Sequence, residues 1–420
     1  MSSHSWLQID GRGLLSFRNG FDGSLSSLFR ESERSIRRPK LSPALAADYG
    51  IEYLLEDLDE ICLYQYQSTV KALRDRLDLN GVTLEYAAKV FDDDLKALIE
   101  RETAERDKAA SDEFGKHLAQ RVDALRKLSF KTWTDGFLRI FSENLTAENR
   151  RRSGFTPLDD YPVTFMLQEL DAYGFPSSDT RVILRAMLDG LPGETLAVLD
   201  LTYLLLGDLY EEDHLTFDLD EVAISYQVWE RIIVLTEGRS DQRILKAAIG
   251  VICPHLQDYF AFMDFEEMAV PGGAGTLVAF LKAFAGAGVA NRVLAVFDND
   301  TAATSALRAL EGLTLPPNVG FVRLPDRSAL ESYPTLGPTG IAPVNINGLA
   351  ASIELYFGRD VLLSLDGTLE PVHWKGYDHK LRQYQGEILG KPRLQKAFLR
   401  KAPSVPIYLR HLPPRNYCRG

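Results

Sequence analysis

The chain has 420 residues, of which 45 % are hydrophobic and 25 % are charged, and its formal net charge at pH 7 is −12. This length can form two or three domains, and this composition is that of an ordinary globular protein, which excludes a chain that is disordered throughout. The negative total also argues against a protein whose whole surface binds nucleic acid nonspecifically.

Charge is distributed unevenly, so the total hides two contrasting segments. Residues 156–225 contain 15 Asp and Glu against 2 Arg, for a net charge of −13. Residues 371–420 contain 11 Lys and Arg against 2 acids, for a net charge of +9. The basic tail predicts a contact with a polyanion, whereas the acidic segment is explained most simply by solubility.

The sequence is expected to carry neither a secretory leader nor a membrane span. Residues 1–6 lack a basic region followed by an apolar core, and no apolar stretch reaches the roughly 18 to 20 residues of a spanning helix. The three cysteines, Cys62, Cys253 and Cys418, are far apart and odd in number, which argues against a disulfide framework and a cysteine zinc site. We therefore expect a cytoplasmic protein that does not contact membranes.

The first half of the chain is predicted to be mainly helical. Its first thirty residues alternate apolar and polar residues around residues 10–13, which predicts a small β-hairpin. Apolar residues at helical spacing follow, for example Phe114, Leu118, Val122 and Leu125. The predicted helices cover residues 49–79, 84–99, 114–128, 162–173 and 179–188.

From about residue 225 the pattern changes to short apolar runs that alternate with amphipathic segments. This alternation is typical of a parallel sheet covered by helices. Ligands of such sheets bind at the edge where the strand C-termini emerge. The predicted strands are 231–235, 259–263, 292–297 and 319–324, and the predicted helices are 241–251, 275–285, 302–310 and 349–357.

Carboxylates follow two of these strands. Glu237 ends the first strand and Asp241 begins the next helix, while Asp298 and Asp300 end a later strand, on which residues two apart share a face. Taken singly, such an aspartate is more often a turn or helix-cap residue. Clustered carboxylates repel one another and are costly to desolvate, and a hard divalent cation relieves both effects. The order of the acids therefore predicts a Mg²⁺ or Mn²⁺ site.

The pattern Glu237-Gly238-x-x-Asp241, followed by Asp298-x-Asp300 after a further strand, resembles the Toprim domain of topoisomerases, primases and a class of nucleases. The resemblance covers about residues 228–358. It implies an α/β Toprim fold, Rossmann-like with a mostly parallel sheet, joined to a mainly α-helical N-terminal domain. The predicted domains are a helical HEPN/Toprim-type domain at 1–225, a Toprim domain at 226–358 and a basic C-terminal extension at 359–420.

A third element, Ser352-Ile353-Glu354, resembles the Ser-x-Glu element of Toprim nucleases of the overcoming-lysogenization-defect class. Residues two apart on a helix do not face one another. Ser352 can therefore share a metal with Glu354 only if the helix begins after it; otherwise Ser352 is a cap, and Glu354 can be read as a solvated helix residue.

Three further stretches are similar to HEPN/Toprim-associated proteins, in which a shared N-terminal domain is joined to either catalytic module. They are Arg76–Leu84, Tyr333–Pro338 and Asn347–Tyr356. HEPN ribonucleases carry Arg-x(4–6)-His, and none of the seven histidines has an arginine at that distance upstream, so a Toprim module is expected. No Gly-x-x-x-x-Gly-Lys-Ser/Thr occurs, so nucleotide-driven control would require a partner, such as a separate ATPase.

The resemblance implies a nuclease whose acids hold one or two Mg²⁺ or Mn²⁺ ions. The implied catalytic residues are Glu237, Asp298 and Asp300, with Glu237 either binding metal or acting as a general base. The implied metal ligands are Glu237, Asp241, Asp298, Asp300, Ser352 and Glu354.

The basic tail mixes cations with Trp374, Tyr377, Tyr384 and Tyr408, the combination that proteins use for phosphate contact and base stacking. Alternatively, its charged face is solvated or docks on the acidic segment 156–225. The predicted nucleic-acid contacts are Lys375, Lys380, Arg382, Lys391, Arg393 and Lys396.

The leading interpretation is a metal-dependent nuclease that cleaves RNA or DNA, which family association places in bacterial conflict systems such as phage defence. One alternative is a noncatalytic nucleic-acid sensor or scaffold with a structural metal site. The other is a primase-like nucleotidyl transferase, for which no separate basic nucleotide site is evident. Expected partners are nucleic acid, a regulatory protein and a second copy of the chain.

Overall fold

The structure is a computed structural model that describes residues 4–108, 113–146, 161–169, 172–229, 231–263, 272–364 and 366–402. The chain divides into two compact units, Met1–Tyr226 and Gln227–Gly420. Among the described helices, none is both long and apolar enough to cross a membrane.

The first unit contains a five-stranded sheet. All of its neighbouring strands are antiparallel, in the order β2-β1-β5-β4-β3. The predicted hairpin is confirmed as β1–β2, and Asp10 and Gly11 at its turn have φ of 51° and 70°. The strands are β1 His4–Ile9, β2 Arg12–Arg18, β3 Arg34–Arg37, β4 Leu63–Thr69 and β5 Leu196–Asp200.

Helices make up most of the rest of this unit, as predicted. The helix predicted at 179–188 is confirmed, and Asp179 caps it by accepting a hydrogen bond from the Arg181 N–H at 3.0 Å. The described helices are α1 Gly23–Ser26, α2 Pro43–Tyr49, α3 Val70–Leu79, α4 Leu84–Lys108, α5 Glu113–Leu125, α6 Phe130–Ser142, α7 Val163–Gln168, α8 Thr180–Met187, α9 Thr202–Leu206 and α10 Glu212–Trp229.

Three sequence predictions in this unit are wrong in detail. Residues 49–79 are not one helix, because β4 lies between the end of α2 and the start of α3. The helix predicted at 162–173 ends at Gln168. Phe114 is 59 % exposed, whereas Leu118, Val122 and Leu125 are buried as predicted, because Phe114 lies in the first turn of its helix.

Aromatic side chains form the centre of the first core. Trp133 is completely buried and stacks on Phe137, with ring centroids 5.6 Å apart. Phe175 packs edge-on against both Trp133 and Phe91, at 4.9 and 5.1 Å. The indole N–H of Trp133 donates to the Tyr173 carbonyl at 3.0 Å, so the one polar atom of this side chain is satisfied.

A buried ion pair ties the sheet of this unit to α3. Arg76 is 0 % exposed, and its guanidinium donates to both carboxylate oxygens of Glu33 at 2.8 Å and to the Leu28 carbonyl at 2.6 Å. Ser68 on β4 donates to the same carboxylate at 2.8 Å. A bidentate arginine satisfies several acceptors at once, so its loss would leave the Glu33 carboxylate without its positive partner and the Leu28 carbonyl without this donor.

We expect Arg76→Ala to lower the free energy of unfolding of the first unit by about 3 kcal/mol, because removing one partner of a buried ion pair strands the other. Urea titration combined with hydrogen exchange of peptides from α3 would measure the change in this unit alone. Arg126→Ala, which removes an exposed arginine of the same unit, is the control and should change stability by less than about 0.5 kcal/mol. Equal effects of the two substitutions would contradict the prediction.

The second unit is built on a parallel sheet, as the sequence predicts. Its strand order is β10-β8-β6-β7, and every neighbouring pair is parallel. The strands of the unit are β6 Ile232–Thr236, β7 Phe260–Phe262, β8 Val293–Phe297, β9 Asn299–Asp300, β10 Val319–Arg323, β11 Tyr333–Gly337, β12 Gly340–Val344, β13 Ala350–Ala351, β14 Val372–Asp378 and β15 Gln383–Ile388.

Helices cover the parallel sheet. The helices predicted at 241–251, 275–285 and 302–310 are confirmed, whereas residues 349–357 form β13 and then a 3-10 helix. The α-helices are α11 Arg239–Ile252, α12 Ala274–Ala287, α13 Thr301–Leu307, α14 Arg359–Leu362 and α15 Lys391–Lys401. The 3-10 helices of the two units are Glu31–Glu33, Glu52–Leu54, Ala172–Gly174, Pro254–Tyr259, Arg308–Leu310, Ser328–Leu330 and Ile353–Tyr356.

A second sheet of this unit, in the order β12-β11-β14-β15, contains part of the basic tail. β14 and β15 form an antiparallel hairpin, and β14 also pairs with β11. The hairpin and α15 share a core with the segment around Ile353, through Val372, Ile388 and Leu394. Residues 372–401 are therefore packed parts of the second unit.

Candidate metal and catalytic site

The segments that carry Glu237 and Asp298 lie next to each other because the strands that precede them are neighbours. β6 and β8 are parallel neighbours, with Ile233 opposite Val293, so both deliver their C-termini to the same edge. There the backbone N–H of Asp298 donates to Oε1 of Glu237 at 3.0 Å. The prediction that both strands end at one edge is confirmed.

Two glycines hold the loop that carries Glu237. The Gly273 N–H donates to the Glu237 carbonyl at 2.7 Å. A Cβ added to Gly272 would lie 2.7 Å from the same oxygen, and Gly273 has φ of +109°, a conformation that L side chains rarely adopt. The glycines that precede α12 thus permit a close backbone approach at the site.

Extended backbone continues past β8 and sends successive side chains to opposite sides. Asp298 Oδ1 accepts the Ile353 N–H at 2.9 Å. Asn299 is completely buried and binds Asp326 and the Gly348 N–H, at 2.8 and 3.0 Å. Asn299 thus fixes the strand between the two aspartates, a role that the sequence pattern did not reveal.

Asp300 has two environments. It pairs with Ala350 across β9–β13, and it caps α13 by accepting the Ala303 N–H at 2.7 Å. The helix-cap interpretation of this residue is therefore correct. The same side chain also lines a cavity of the site, so capping does not remove it from the acidic cluster.

The Ser-x-Glu segment approaches from a third direction. The helix begins at Ile353, after Ser352, and the Ser352 hydroxyl donates to Oε2 of Glu354 at 2.6 Å. Glu354 is 1 % exposed, and Gln395 on α15 donates to its other oxygen at 2.7 Å. Glu354 is thus buried at the site, and the interpretation of this residue as solvated is wrong.

A cavity of about 340 Å³ lies beside these acids. Lys391 at the start of α15 is 3.6 Å from Glu354 and 3.5 Å from Glu387. Lys375 forms an ion pair with Glu387. The lining residues are Asp300, Ser352, Lys375, Gly376, Gln385, Gly386, Glu387 and Lys391.

The family of the chain is decided by its first unit. Residues 1–223 match the HEPN/Toprim N-terminal domain 1 family. The chain belongs to this family. No curated protein and no solved structure matches the chain. The HEPN/Toprim association expected from the sequence is thus confirmed, and the Toprim nuclease class of the second unit remains a prediction.

The acids of this HEPN/Toprim protein are electrostatically strained. Burial raises the pKa of Glu237 to about 7, and the charges of Asp300 and Asp241 act in the same direction. Burial likewise raises the pKa of Asp241 to about 6, with Glu354 adding to it. The pKa of Asp298 is held well above its ordinary value by burial and by three neighbouring carboxylates, and burial also raises that of Asp300.

The donor chemistry of this cluster suits a hard cation, because all candidate ligands are oxygen atoms. Within the described ranges, no three His, Cys, Asp or Glu side chains are arranged to hold a metal as they stand. Glu237, Asp298 and Asp300 each turn one oxygen toward a backbone N–H. Binding of a cation would require these carboxylates to rearrange or to use their second oxygens.

The predicted nucleic-acid residues are placed differently from one another. Lys375 and Lys391 line the cavity, whereas Lys380 and Arg382 are exposed at the tip of the β14–β15 hairpin. Arg393 donates to Glu370 at 2.7 Å and to the Leu363 carbonyl at 3.0 Å, which indicates a structural role. Lys396 is exposed on α15, and Tyr408 lies outside the described residues.

We expect Glu237→Gln to raise the free energy of unfolding in EDTA at pH 8 by about 2 kcal/mol, and by less at pH 5. A carboxyl whose pKa is higher in the folded chain makes the folded state bind protons more tightly. Its contribution to stability is therefore lost as pH rises from 4.5, the ordinary value, through about 7. Urea denaturation at the two pH values measures the difference.

The control for this prediction is Glu331→Gln, which changes an exposed glutamate of the same unit. It should alter stability by less than about 0.5 kcal/mol at either pH. A Glu237→Gln protein that is less stable than the parent at pH 8 would show that Glu237 is not strained in the folded chain.

Proposed function

We propose that the second unit is a divalent-metal-dependent nuclease that hydrolyses phosphodiester bonds of RNA or DNA. The observation that carries the proposal is the convergence of acids from three separate chain segments on one buried site. Glu237, Asp298 and Glu354 come from different chain segments. Hydrogen bonds from backbone N–H groups to carboxylates link the first segment to the second and the second to the third. Gathering strained carboxylates is costly, and such sites are commonly functional.

The proposed ligands of Mg²⁺ or Mn²⁺ are Glu237, Asp241, Asp298, Asp300, Glu354 and the hydroxyl of Ser352. The bound metal would polarise a phosphodiester and lower the pKa of an attacking water. The chain itself would supply the group that accepts the proton of this water and the residues that position the acids. Glu237 has an alternative role as the general base, in which it would accept the proton of that water instead of binding the metal.

Other residues of the site hold these acids in place. Gln395 and Ser352 orient Glu354 through one hydrogen bond to each oxygen. Lys391 lies beside Glu354 and offsets part of the negative charge of the site. Its positive charge opposes the rise in pKa that burial causes in Glu237, Asp241, Asp298 and Asp300. These contacts give the proposed site a preorganised frame.

Membership of the HEPN/Toprim family supports a nuclease over the scaffold and primase-like alternatives. We propose that the first unit receives a trigger or a regulatory partner, such as an ATPase, and that the biological setting is bacterial defence.

Purified protein with Mg²⁺ or Mn²⁺ is expected to cleave at least one of plasmid DNA, single-stranded DNA and total tRNA. The Asp298→Ala, Asp300→Ala double variant should lose this activity, because it removes two proposed metal ligands. Gel electrophoresis of the three substrates measures the outcome and names the polymer. Glu331→Gln is the matched control and should cleave like the parent.

Glu237→Ala separates a nuclease from a scaffold. Loss of a general base typically costs about 100-fold or more in rate, so cleavage should fall by that amount while nucleic-acid binding persists. A variant that retained full cleavage would remove Glu237 from the mechanism. Cleavage that survives in the double aspartate variant would assign the activity to another part of the chain or to a contaminant.

Isothermal titration calorimetry should detect Mg²⁺ or Mn²⁺ binding to the parent and to Glu331→Gln, and no binding to the double aspartate variant. Because the metal binds only the folded site, it should also stabilise the parent, by about 2.7 kcal/mol at 100 times the dissociation constant. Absence of both binding heat and stabilisation in the parent would overturn the metal site.

A further inference from the structure

We propose that the β14–β15 hairpin is a base-stacking platform beside the acidic site and that the substrate is single-stranded nucleic acid. This inference rests on the proposed function for the cleavage that follows binding. The binding surface itself is defined by side chains outside the acidic cluster.

Three aromatic side chains lie on one face of the hairpin. Tyr377 is directly opposite Tyr384 in the strand register, and their ring centroids are 5.1 Å apart. Trp374 lies 5.9 Å from Tyr384 on the same face. Tyr377 is 43 % exposed and Tyr384 is 60 % exposed, so the cluster presents aromatic surface to solvent. Aromatic rings in such positions stack on bases of any sequence.

The platform is rigidly joined to the acidic site. Gly386 packs so closely that an added Cβ would lie 3.0 Å from the Ala350 Cβ of β13 and 3.0 Å from the Trp374 ring. The Tyr384 carbonyl accepts a hydrogen bond from the Thr301 hydroxyl at 2.8 Å. Thr301 directly follows Asp300, so the exposed ring of Tyr384 is anchored one residue from a proposed metal ligand.

An irregularity in the hairpin connects the rings to the cavity. The register shifts between Trp374 and Gly376, which leaves Lys375 as an extra residue in β14. Such bulges redirect a side chain, and Lys375 lines the same cavity as Asp300 and Lys391. Lys375 thus joins the hairpin that carries the rings to the edge of the cavity.

Cations lie at both ends of the platform. Lys375 and Lys391 are at the cavity, where both lie beside Glu387, and the exposed Lys380 and Arg382 lie in the turn that follows Asp378. This arrangement is complementary to a phosphate backbone that crosses the rings. In a duplex both faces of each base are covered by stacked neighbours, whereas an unpaired strand exposes bases to the rings. The occupant that fits is therefore a single strand.

The test uses full-length protein that carries Asp298→Ala and Asp300→Ala, so that binding is measured without cleavage. The probes are a fluorescent single strand of about 12 nucleotides as DNA and as RNA, the same DNA strand with its central residues abasic, and the corresponding DNA duplex. Fluorescence anisotropy at fixed salt gives the affinities. The abasic strand keeps the phosphates and removes the stacking partners.

We expect the abasic strand to bind at least about 5- to 150-fold more weakly than the intact strand, the effect of losing one stacked base. Adding Tyr377→Ala and Tyr384→Ala should weaken binding of the intact strand and abolish this difference. The matched Tyr377→Phe, Tyr384→Phe protein should retain the difference, since the rings remain. Ile341→Ala, which alters an exposed apolar residue of β12 in the same sheet, should also retain it.

The outcomes separate this proposal from the nuclease proposal. Equal binding of intact and abasic strands, duplex binding as tight as single-strand binding, or no binding of any probe would overturn the platform even if the parent cleaves nucleic acid. Base-dependent binding that requires the tyrosines would support the platform even if the parent cleaves nothing. A difference between the DNA and RNA strands would name the sugar that the surface prefers.

Discussion

Two hydrogen bonds from backbone N–H groups to carboxylates hold the acidic site together. Glu237 accepts the N–H of Asp298, 61 residues away, and Asp298 accepts the N–H of Ile353, 55 residues further on. The first bond joins segments that follow neighbouring strands of the parallel sheet, and the second joins one of them to the 3-10 helix that begins at Ile353. Bonds to an ionised acceptor are stronger than neutral ones, so they tie the loops together best when the acids are charged. This link fixes Glu237 and Asp298 relative to the segment that carries Glu354.

These two hydrogen bonds do not relieve the electrostatic strain of the site. Two hydrogen bonds favour the charged forms, yet burial and mutual repulsion still raise the pKa of Glu237 and Asp298. One nearby cation, Lys391, compensates only part of the charge of the cluster. The fold therefore maintains an excess of negative charge that a divalent cation would relieve, at the expense of stability in its absence. This balance is what a metal-dependent enzyme requires.

How well the sequence predicts each region depends on whether the decisive contacts are local. The β-α alternation after residue 225 places Glu237 and Asp298 correctly, because parallel strands of similar length end at one edge. The sequence did not predict the strands of the first sheet whose partners are distant in the chain. β5 pairs with β1 and β4, far from it in the chain, and the Pro192-Gly193 turn before its short apolar run does not show which strands it pairs with. β4 does show strand alternation in Leu63–Thr69, which an expected long helix obscured.

Net charge proved a poor guide to the surface of the basic tail. Several of its cations are engaged within the second unit: Arg393 with Glu370, Lys375 with Glu387 and Lys401 with Asp360. Exposed side-chain ion pairs contribute little to stability, but they reduce the charge that is available to a polyanion. The register of the hairpin says more about this surface than net charge does. Tyr377 and Tyr384 lie side by side on one face because they are paired across the two strands. The surface proposed to bind unpaired bases thus depends on strand pairing more than on net charge.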